Sequence, residues 1–125
     1  MKTSTLAVKL LCGVVLDSVA SVALAHHGWT WYGNDPFELT AEVVGKRFGN
    51  PHDELTLRDA DGQEWYVLLS PPGRSRRAGL SDDAVQVGDT VTAYGHRRSE
   101  GNNFEMKTER LKVGDKVYNL YPDRS

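Results

Sequence analysis

Four histidines, His26, His27, His52 and His96, are the residues of this sequence whose side chains are best suited to chemistry. His26 and His27 are adjacent and directly follow the small residues "ALA". Imidazole is the commonest transition-metal ligand in proteins, and it also changes charge near neutral pH. The first question is therefore whether these histidines bind a metal or are ordinary polar residues.

The first 25 residues are typical of an export signal. Lys2 and Lys9 supply positive charge, "LLCGVVL" is a short apolar run, and "ALA" ending at Ala25 is a small-x-small cleavage site. The apolar run is too short to span a bilayer, and Asp17 interrupts the stretch. We therefore predict a signal peptide over residues 1–25 and a mature protein that is periplasmic or secreted.

Cleavage after Ala25 makes His26 the mature amino terminus. Its α-amino group and its imidazole can then chelate one metal ion, and one further imidazole completes a three-nitrogen set that suits Cu(II). The His27 ring points to the other side of an extended segment, so His52, in a loop stiffened by Pro51, is the better third ligand. We predict a metal site formed by His26, His27 and His52, with copper favoured and Zn or Ni as alternatives.

Two alternatives stay open at this point. Cleavage after Ala23 starts the chain at Leu24-Ala25-His26, where the amine, two amides and the imidazole can surround Cu(II) or Ni(II) in a square plane. The other alternative is that the histidines are solvated or structural. In that case His52 caps its own turn, and His96 lies on an exposed face of a strand.

Aromatic side chains form a second candidate site, consisting of Trp29, Trp31, Trp65 and Tyr66. Small β-barrels use aromatic side chains on a strand face to stack against oligonucleotides and to bind oligosaccharides. The alternative function is therefore an envelope interaction module that binds a glycan, a peptide or a partner protein through these residues. The competing explanation is that Trp29 or Trp31 covers an open end of the fold.

Composition excludes several functional classes. Signal cleavage removes two lysines and one aspartate, so the formal charge changes from −2 to −3 and attracts no nucleic acid. It also removes Cys12, the only cysteine, and with it any disulfide or thiolate nucleophile. The sequence has no nucleophile elbow, phosphate loop or glycine-rich dinucleotide motif. We expect a non-catalytic binding domain with neither a nucleic-acid partner nor a membrane span, and a copper oxidase or monooxygenase is the enzyme alternative.

Hydrophobic alternation in the mature chain predicts strands separated by turns. The predicted strands cover residues 37–48, 55–59, 64–70, 90–98, 104–113 and 116–122. An Asp-Gly turn joins the second strand to the third, and a short helix within residues 74–80 that ends at Gly79 separates the third from the fourth. This order is typical of a five- to six-stranded Greek-key barrel of the OB type. An open sandwich or an SH3-like barrel is the structural alternative.

The predicted domain organisation follows from these elements. Residues 26–36 form an amino-terminal aromatic and histidine segment, and residues 37–122 form the all-β barrel domain. The predicted core is apolar and is adequate for a domain near 100 residues. It comprises Leu39, Val43, Leu55, Leu57, Trp65, Val67, Leu69, Val91, Ala93, Met106, Leu111 and Val117.

Several short motifs together resemble a known family. They are "AHH" at the export junction, "NPH" after the first strand, "DGQEW", a Pro-Gly break and "GDTVTAYG". The sequence resembles a family of small exported bacterial proteins that carry a domain of unknown function with a predicted OB-like fold. The resemblance covers nearly the whole mature chain, and its most specific pieces are His26-His27 and Asn50-Pro51-His52. It implies the fold and export, and it implies no activity.

Overall fold

The computed structural model describes residues 28–101 and 104–124. These residues form β1 (Phe37–Arg47), β2 (Glu54–Arg58), β3 (Glu64–Leu68), α1 (Pro72–Arg77), a 3-10 turn (Asp82–Ala84), β4 (Thr90–Arg97), β5 (Glu105–Val113) and β6 (Lys116–Asn119). The predicted signal peptide, together with His26 and His27, lies outside the described residues. The order of three strands, one helix and three strands is the order that the sequence predicts.

The strands form one closed sheet within the compact unit Tyr32–Ser125. Their order is β3-β2-β1-β4-β5-β6, and β3 also pairs with β5. The β3–β5 pairing is parallel, the other pairings between strands are antiparallel, and together they close a five-stranded barrel that β6 extends. Closure gives β3, the strand at one edge of the sheet, a second partner in β5. The OB-like all-β barrel predicted from the sequence is confirmed.

The core fills the inside of the barrel with the inward-facing residues of each strand. Every predicted core residue is buried except Val117. The crossover between β3 and β4 adds Leu80 and Val85, which are fully buried, and Leu120 is buried after β6. The loop segments thus supply part of the core that strand alternation alone does not predict.

Val117 is 51% exposed, whereas its neighbour Tyr118 is buried. The register of the β5–β6 pair explains this difference, because Leu111 is opposite Tyr118. Residues opposite each other on paired strands share one face of the sheet, and Leu111 faces the core. The prediction of Val117 as a core residue is therefore wrong, and Tyr118 takes that place.

The β2–β3 hairpin is organised by the carboxylate of Asp59. One oxygen accepts hydrogen bonds from the backbone amides of Asp61 and Gln63, at 3.0 and 2.9 Å. The other accepts from the indole Nε1 of Trp65 at 3.0 Å, which is the main reason that the pKa of Asp59 lies below its usual range. Gly62 has φ of 83°, a conformation that favours glycine. The predicted Asp-Gly turn therefore also anchors a core tryptophan.

A β-bulge interrupts the pairing of β4 with β5 opposite Gly95. Glu109 is the extra residue of β5, and its carbonyl oxygen accepts hydrogen bonds from the amides of Leu120 and Tyr121, at 2.8 and 3.1 Å. A Cβ atom on Gly95 would lie 1.9 Å from the carbonyl oxygen of Lys107. The bulge therefore requires glycine at this position, and it fixes the carboxy-terminal segment against β5.

The helix α1 begins after Pro71, and proline in its first turn lacks only an amide that the helix leaves unbonded. The chain leaves the helix before Gly79, whose φ of 89° is left-handed. The helix starts two residues earlier than the predicted 74–80 segment and ends at Arg77. Within the described part of the chain, no helix is long and apolar enough to cross a membrane.

Candidate functional site

His52 lies in the loop between β1 and β2, and the loop is held on both sides. The carbonyl oxygen of His52 accepts a hydrogen bond from Nη2 of Arg47 at 3.3 Å. The next residue, Asp53, donates its amide to the carbonyl oxygen of Ser70 at 2.9 Å, and its carboxylate accepts the Gly49 amide at 2.8 Å. These contacts fix the backbone position from which the imidazole extends.

The surroundings of the His52 imidazole keep it neutral. Burial of the ring is the main reason that its pKa lies below 6.5, and the positive charge of Lys107 lowers the pKa further. Asp53 and Glu54 act in the opposite direction. Lys107 is itself buried, and burial together with the charge of Arg124 lowers its own pKa. A neutral imidazole has the free lone pair that a metal ion needs.

The other two predicted metal ligands, His26 and His27, lie outside the described residues, so their role stays a prediction. Among residues 28–101 and 104–124, no three His, Cys, Asp or Glu side chains are grouped so that they could hold a metal ion. His52 is thus the predicted ligand whose position and electrostatics the structure describes.

His96 has a different environment from the one predicted for it. Its side chain is mostly buried, and Nε2 is 2.8 Å from Oε1 of Glu109. Nδ1 is 3.1 Å from the carbonyl oxygen of Asp35. Arg124 places its Nε 3.6 Å from the same Glu109 oxygen. The prediction of an exposed strand face is wrong, because the bulge at Glu109 brings a carboxylate onto the ring, and both ring nitrogens are engaged.

Trp65 is buried among other aromatic side chains. Its ring stacks on Phe37 with centroids 5.2 Å apart and meets the edge of Phe104 at 5.4 Å. The guanidinium of Arg97 covers the ring at 4.9 Å from its centroid. With 5% of its surface exposed, Trp65 belongs to the core.

Tyr66 points to the outer face of β3, opposite to Trp65, because successive strand residues alternate in direction. Its hydroxyl donates to the carboxylate of Glu54, which also accepts from Nε of Arg47 at 3.0 Å. The hydrogen bond from Arg47 is the main reason that the pKa of Glu54 is lowered, and burial raises the pKa of Tyr66. Trp65 is buried inside the barrel and Tyr66 is 36% exposed on the outer face. The two side chains therefore do not form one aromatic surface.

Trp29 and Trp31 precede the compact unit that begins at Tyr32. Trp29 is half-buried, and Trp31 is 42% exposed. Tyr32 is a core residue that sequence reasoning missed: its hydroxyl donates to Oε2 of Glu105 at 2.6 Å, and its backbone pairs with Arg98. Glu105 is 73 residues away in the chain, so no local pattern indicates this contact.

Comparisons with known proteins give a family and a fold. The sequence profile of a family of unknown function, DUF6152, matches residues 14–107. No curated protein matches the chain.

Two solved structures share the barrel at 15% sequence identity. One is a chain of the S. pombe Stn1–Ten1 complex, with a TM-score of 0.51 over 65% of this chain and 59% of that one. The other is asparaginyl-tRNA synthetase from Pyrococcus horikoshii complexed with asparaginyl-adenylate, with a TM-score of 0.52 over 77% of this chain and 23% of that one. This chain spans less than two thirds of either structure, and the likeness shows the OB-like fold alone.

Proposed function

This chain belongs to the DUF6152 family of unknown function. From that premise we propose that the protein is an exported, non-catalytic domain that binds a transition-metal ion. Cu(II) is the preferred metal, and Zn or Ni are the alternatives by ligand type. The candidate ligands are the imidazoles of His26, His27 and His52. The role is metal buffering or delivery in the periplasm.

The observation that carries this proposal is the state of the His52 ring. Because its pKa is lowered, protons compete weakly for the nitrogen at neutral pH, and the cost of deprotonating a ligand is small. The braced loop also removes conformational freedom that the ligand would otherwise lose on binding. Copper lies at the top of the affinity order for nitrogen sites, so a thiol-free imidazole set favours it.

The charges near His52 also support a cationic ligand. The pKa of Glu54 lies below its usual range, so this carboxylate is ionised at neutral pH. Glu54 and Asp53 both act electrostatically on the His52 ring. A divalent ion at His52 is attracted by these two carboxylates and repelled by the ammonium group of Lys107.

A Cu(II) titration of the exported protein in competition with a chelator tests the proposal. We expect His52→Gln to weaken Cu(II) binding by about tenfold or more, because it removes one imidazole ligand. His96→Gln is the matched control, since both nitrogens of His96 are already engaged. Circular dichroism checks that each variant is folded. Equal affinities in wild type and a folded His52→Gln variant contradict the proposal.

A second candidate function, the envelope interaction module, is favoured by the exposed aromatic side chains. Tyr66, Phe104 and Trp31 are each more than one third exposed. Exposed aromatic side chains are enriched where proteins contact other molecules. Tryptophan fluorescence that responds to cell-wall fragments, with the response lost in Trp31→Ala and Tyr66→Ala, supports this function. A response to Cu(II) but to no fragment rejects it.

A further inference from the structure

A cleft on the outer face of β1, β4 and β5 has no role in the metal proposal. Its volume is about 520 Å³, and it is lined by Pro36, Phe37, Glu38, Tyr94, Gly95, His96, Glu109, Arg110 and Arg124. Clefts that hold small molecules have volumes of roughly 300 to 1,000 Å³. The cleft combines an apolar end with side chains of both charges.

Three cleft residues form a row across three strands. Glu38 of β1 is opposite Tyr94 of β4, and Tyr94 is opposite Arg110 of β5. Their strand neighbours Leu39, Ala93 and Leu111 are buried in the core. The side chains of the row therefore all point outward, with the tyrosine between a carboxylate and a guanidinium.

Arg110 is held in place by the central tyrosine. Its guanidinium carbon lies 4.8 Å from the centroid of the Tyr94 ring. Within the part of the chain that the structure describes, the Arg110 side chain has no carboxylate partner, and its Nε is covered without a hydrogen-bond acceptor. The edge of the guanidinium that can face the cleft is therefore its two terminal nitrogens. A stacked guanidinium presents this edge as a preorganised fork for a carboxylate.

Glu38 is exposed on the other side of Tyr94, and among residues 28–101 and 104–124 it forms no ion pair or side-chain hydrogen bond. The second carboxylate of the cleft, Glu109, is engaged by His96 and Arg124. Glu38 and Arg110 come from strands two positions apart, and the ring of Tyr94 stands between them. The cleft therefore holds one negative and one positive group that do not neutralise each other.

We propose that this cleft binds a free amino acid with an apolar side chain as a zwitterion. The ligand carboxylate pairs with the terminal nitrogens of Arg110, and its ammonium group faces Glu38. The guanidinium carbon lies 4.8 Å from the centre of the Tyr94 ring, and Tyr94 belongs to the strand between β5 and β1. Pro36, which lines the same cleft, supplies the apolar contact for the ligand side chain. A ligand with a single charge would pair with only one of Glu38 and Arg110, whereas a zwitterion pairs with both.

The test uses three probes with the whole exported protein and isothermal titration calorimetry in the presence of EDTA. L-phenylalanine carries both charges, N-acetyl-L-phenylalanine keeps only the carboxylate, and L-phenylalanine amide keeps only the ammonium group. We expect the dissociation constant of L-phenylalanine to be lower than that of either other probe by a factor of about ten or more. EDTA keeps the result independent of metal binding, so this proposal and the metal proposal can fail separately.

Charge-neutral variants assign each contact. Arg110→Gln is expected to weaken the binding of L-phenylalanine and of the N-acetyl probe, and to leave the binding of the amide unchanged. Glu38→Gln is expected to weaken the binding of L-phenylalanine and of the amide, and to leave the binding of the N-acetyl probe unchanged. Arg58→Gln is the control, since Arg58 pairs with Glu64 at 3.0 Å outside the cleft. The proposal is overturned if L-phenylalanine shows no saturable binding or if all three probes bind equally.

Discussion

Two histidines of the barrel have opposite surroundings. The ring of His52 is partly buried and feels the positive charge of Lys107, which lowers its pKa. The ring of His96 instead meets the carboxylate of Glu109 and a backbone carbonyl oxygen. A neutral ring with a free lone pair can bind a metal, and a ring with both nitrogens engaged cannot without breaking those contacts. At the scale of single residues, this difference makes His52, and not His96, the candidate metal ligand.

The lowered pKa of His52 predicts how stability depends on pH. As pH falls through 6.5, the unfolded chain takes up a proton at this position before the folded chain does. The free energy of unfolding of the wild-type protein therefore decreases, relative to that of His52→Gln, as pH falls below 6.5. The decrease ends once the pH is below the pKa of His52 in the folded state. Urea unfolding of both proteins at pH 7.5 and pH 5.5 measures the effect. A difference between the two proteins that does not change with pH contradicts it.

Asp59 provides a second prediction at the residue scale. Asp59→Ala removes the acceptor of two backbone amides and of the Trp65 indole, so the urea midpoint should fall. Asp61→Ala, two residues away in the same turn, is the control, because its carboxylate is the acceptor in no hydrogen bond of the described residues. Equal midpoints for the two variants would show that the Asp59 carboxylate does not stabilise the hairpin.

The bulge in β5 gives a prediction at the scale of elements. In Gly95→Ala the new Cβ would meet the Lys107 carbonyl oxygen at 1.9 Å, which forces β4 and β5 apart. We expect a loss of about 3 kcal/mol or more in the free energy of unfolding. Gly45→Ala is the control, because its Cβ would meet Thr56 at an ordinary 3.5 Å, and it should change stability by about 1 kcal/mol or less. Similar denaturation midpoints for the two variants would contradict the close approach.

Sequence patterns predict the elements better than they predict how the elements pair. Alternation of apolar residues locates the strands, since the period of two is local. It does not decide between Val117 and Tyr118, because both phases of that strand contain apolar residues and the register with Leu111 decides. The buried position of His96 depends on a bulge in another strand. The errors occur where a partner strand or a distant segment sets the environment.

The candidate sites divide in the same way. The "NPH" loop is a local signal, so His52 could be named from the sequence. The row of Glu38, Tyr94 and Arg110 spans 73 positions of the chain and exists only once the register is fixed. Its members are ordinary surface residues in the sequence. Only the fold makes them neighbours.

At the scale of the whole molecule, metal binding and folding are linked. A ligand that binds only the folded state at 100 times its dissociation constant stabilises that state by about 2.7 kcal/mol. The amine and imidazole of a terminal His26 can also chelate Cu(II) in the unfolded chain, so only contacts made by the folded protein contribute. Cu(II) should therefore raise the melting temperature of protein prepared with His26 as its amino terminus, and raise it much less in the His52→Gln variant of that protein. Equal shifts measured by calorimetry would contradict a ligand role for His52.

The most direct measurement of the central claim is electron paramagnetic resonance of protein prepared with His26 as its amino terminus, with one equivalent of Cu(II) at pH 7. The proposed site predicts a tetragonal Cu(II) spectrum with nitrogen ligands. His52→Gln should change that spectrum by the loss of one imidazole nitrogen, and His96→Gln should leave it unchanged. Identical spectra for wild type and His52→Gln would contradict the claim that the barrel supplies a metal ligand.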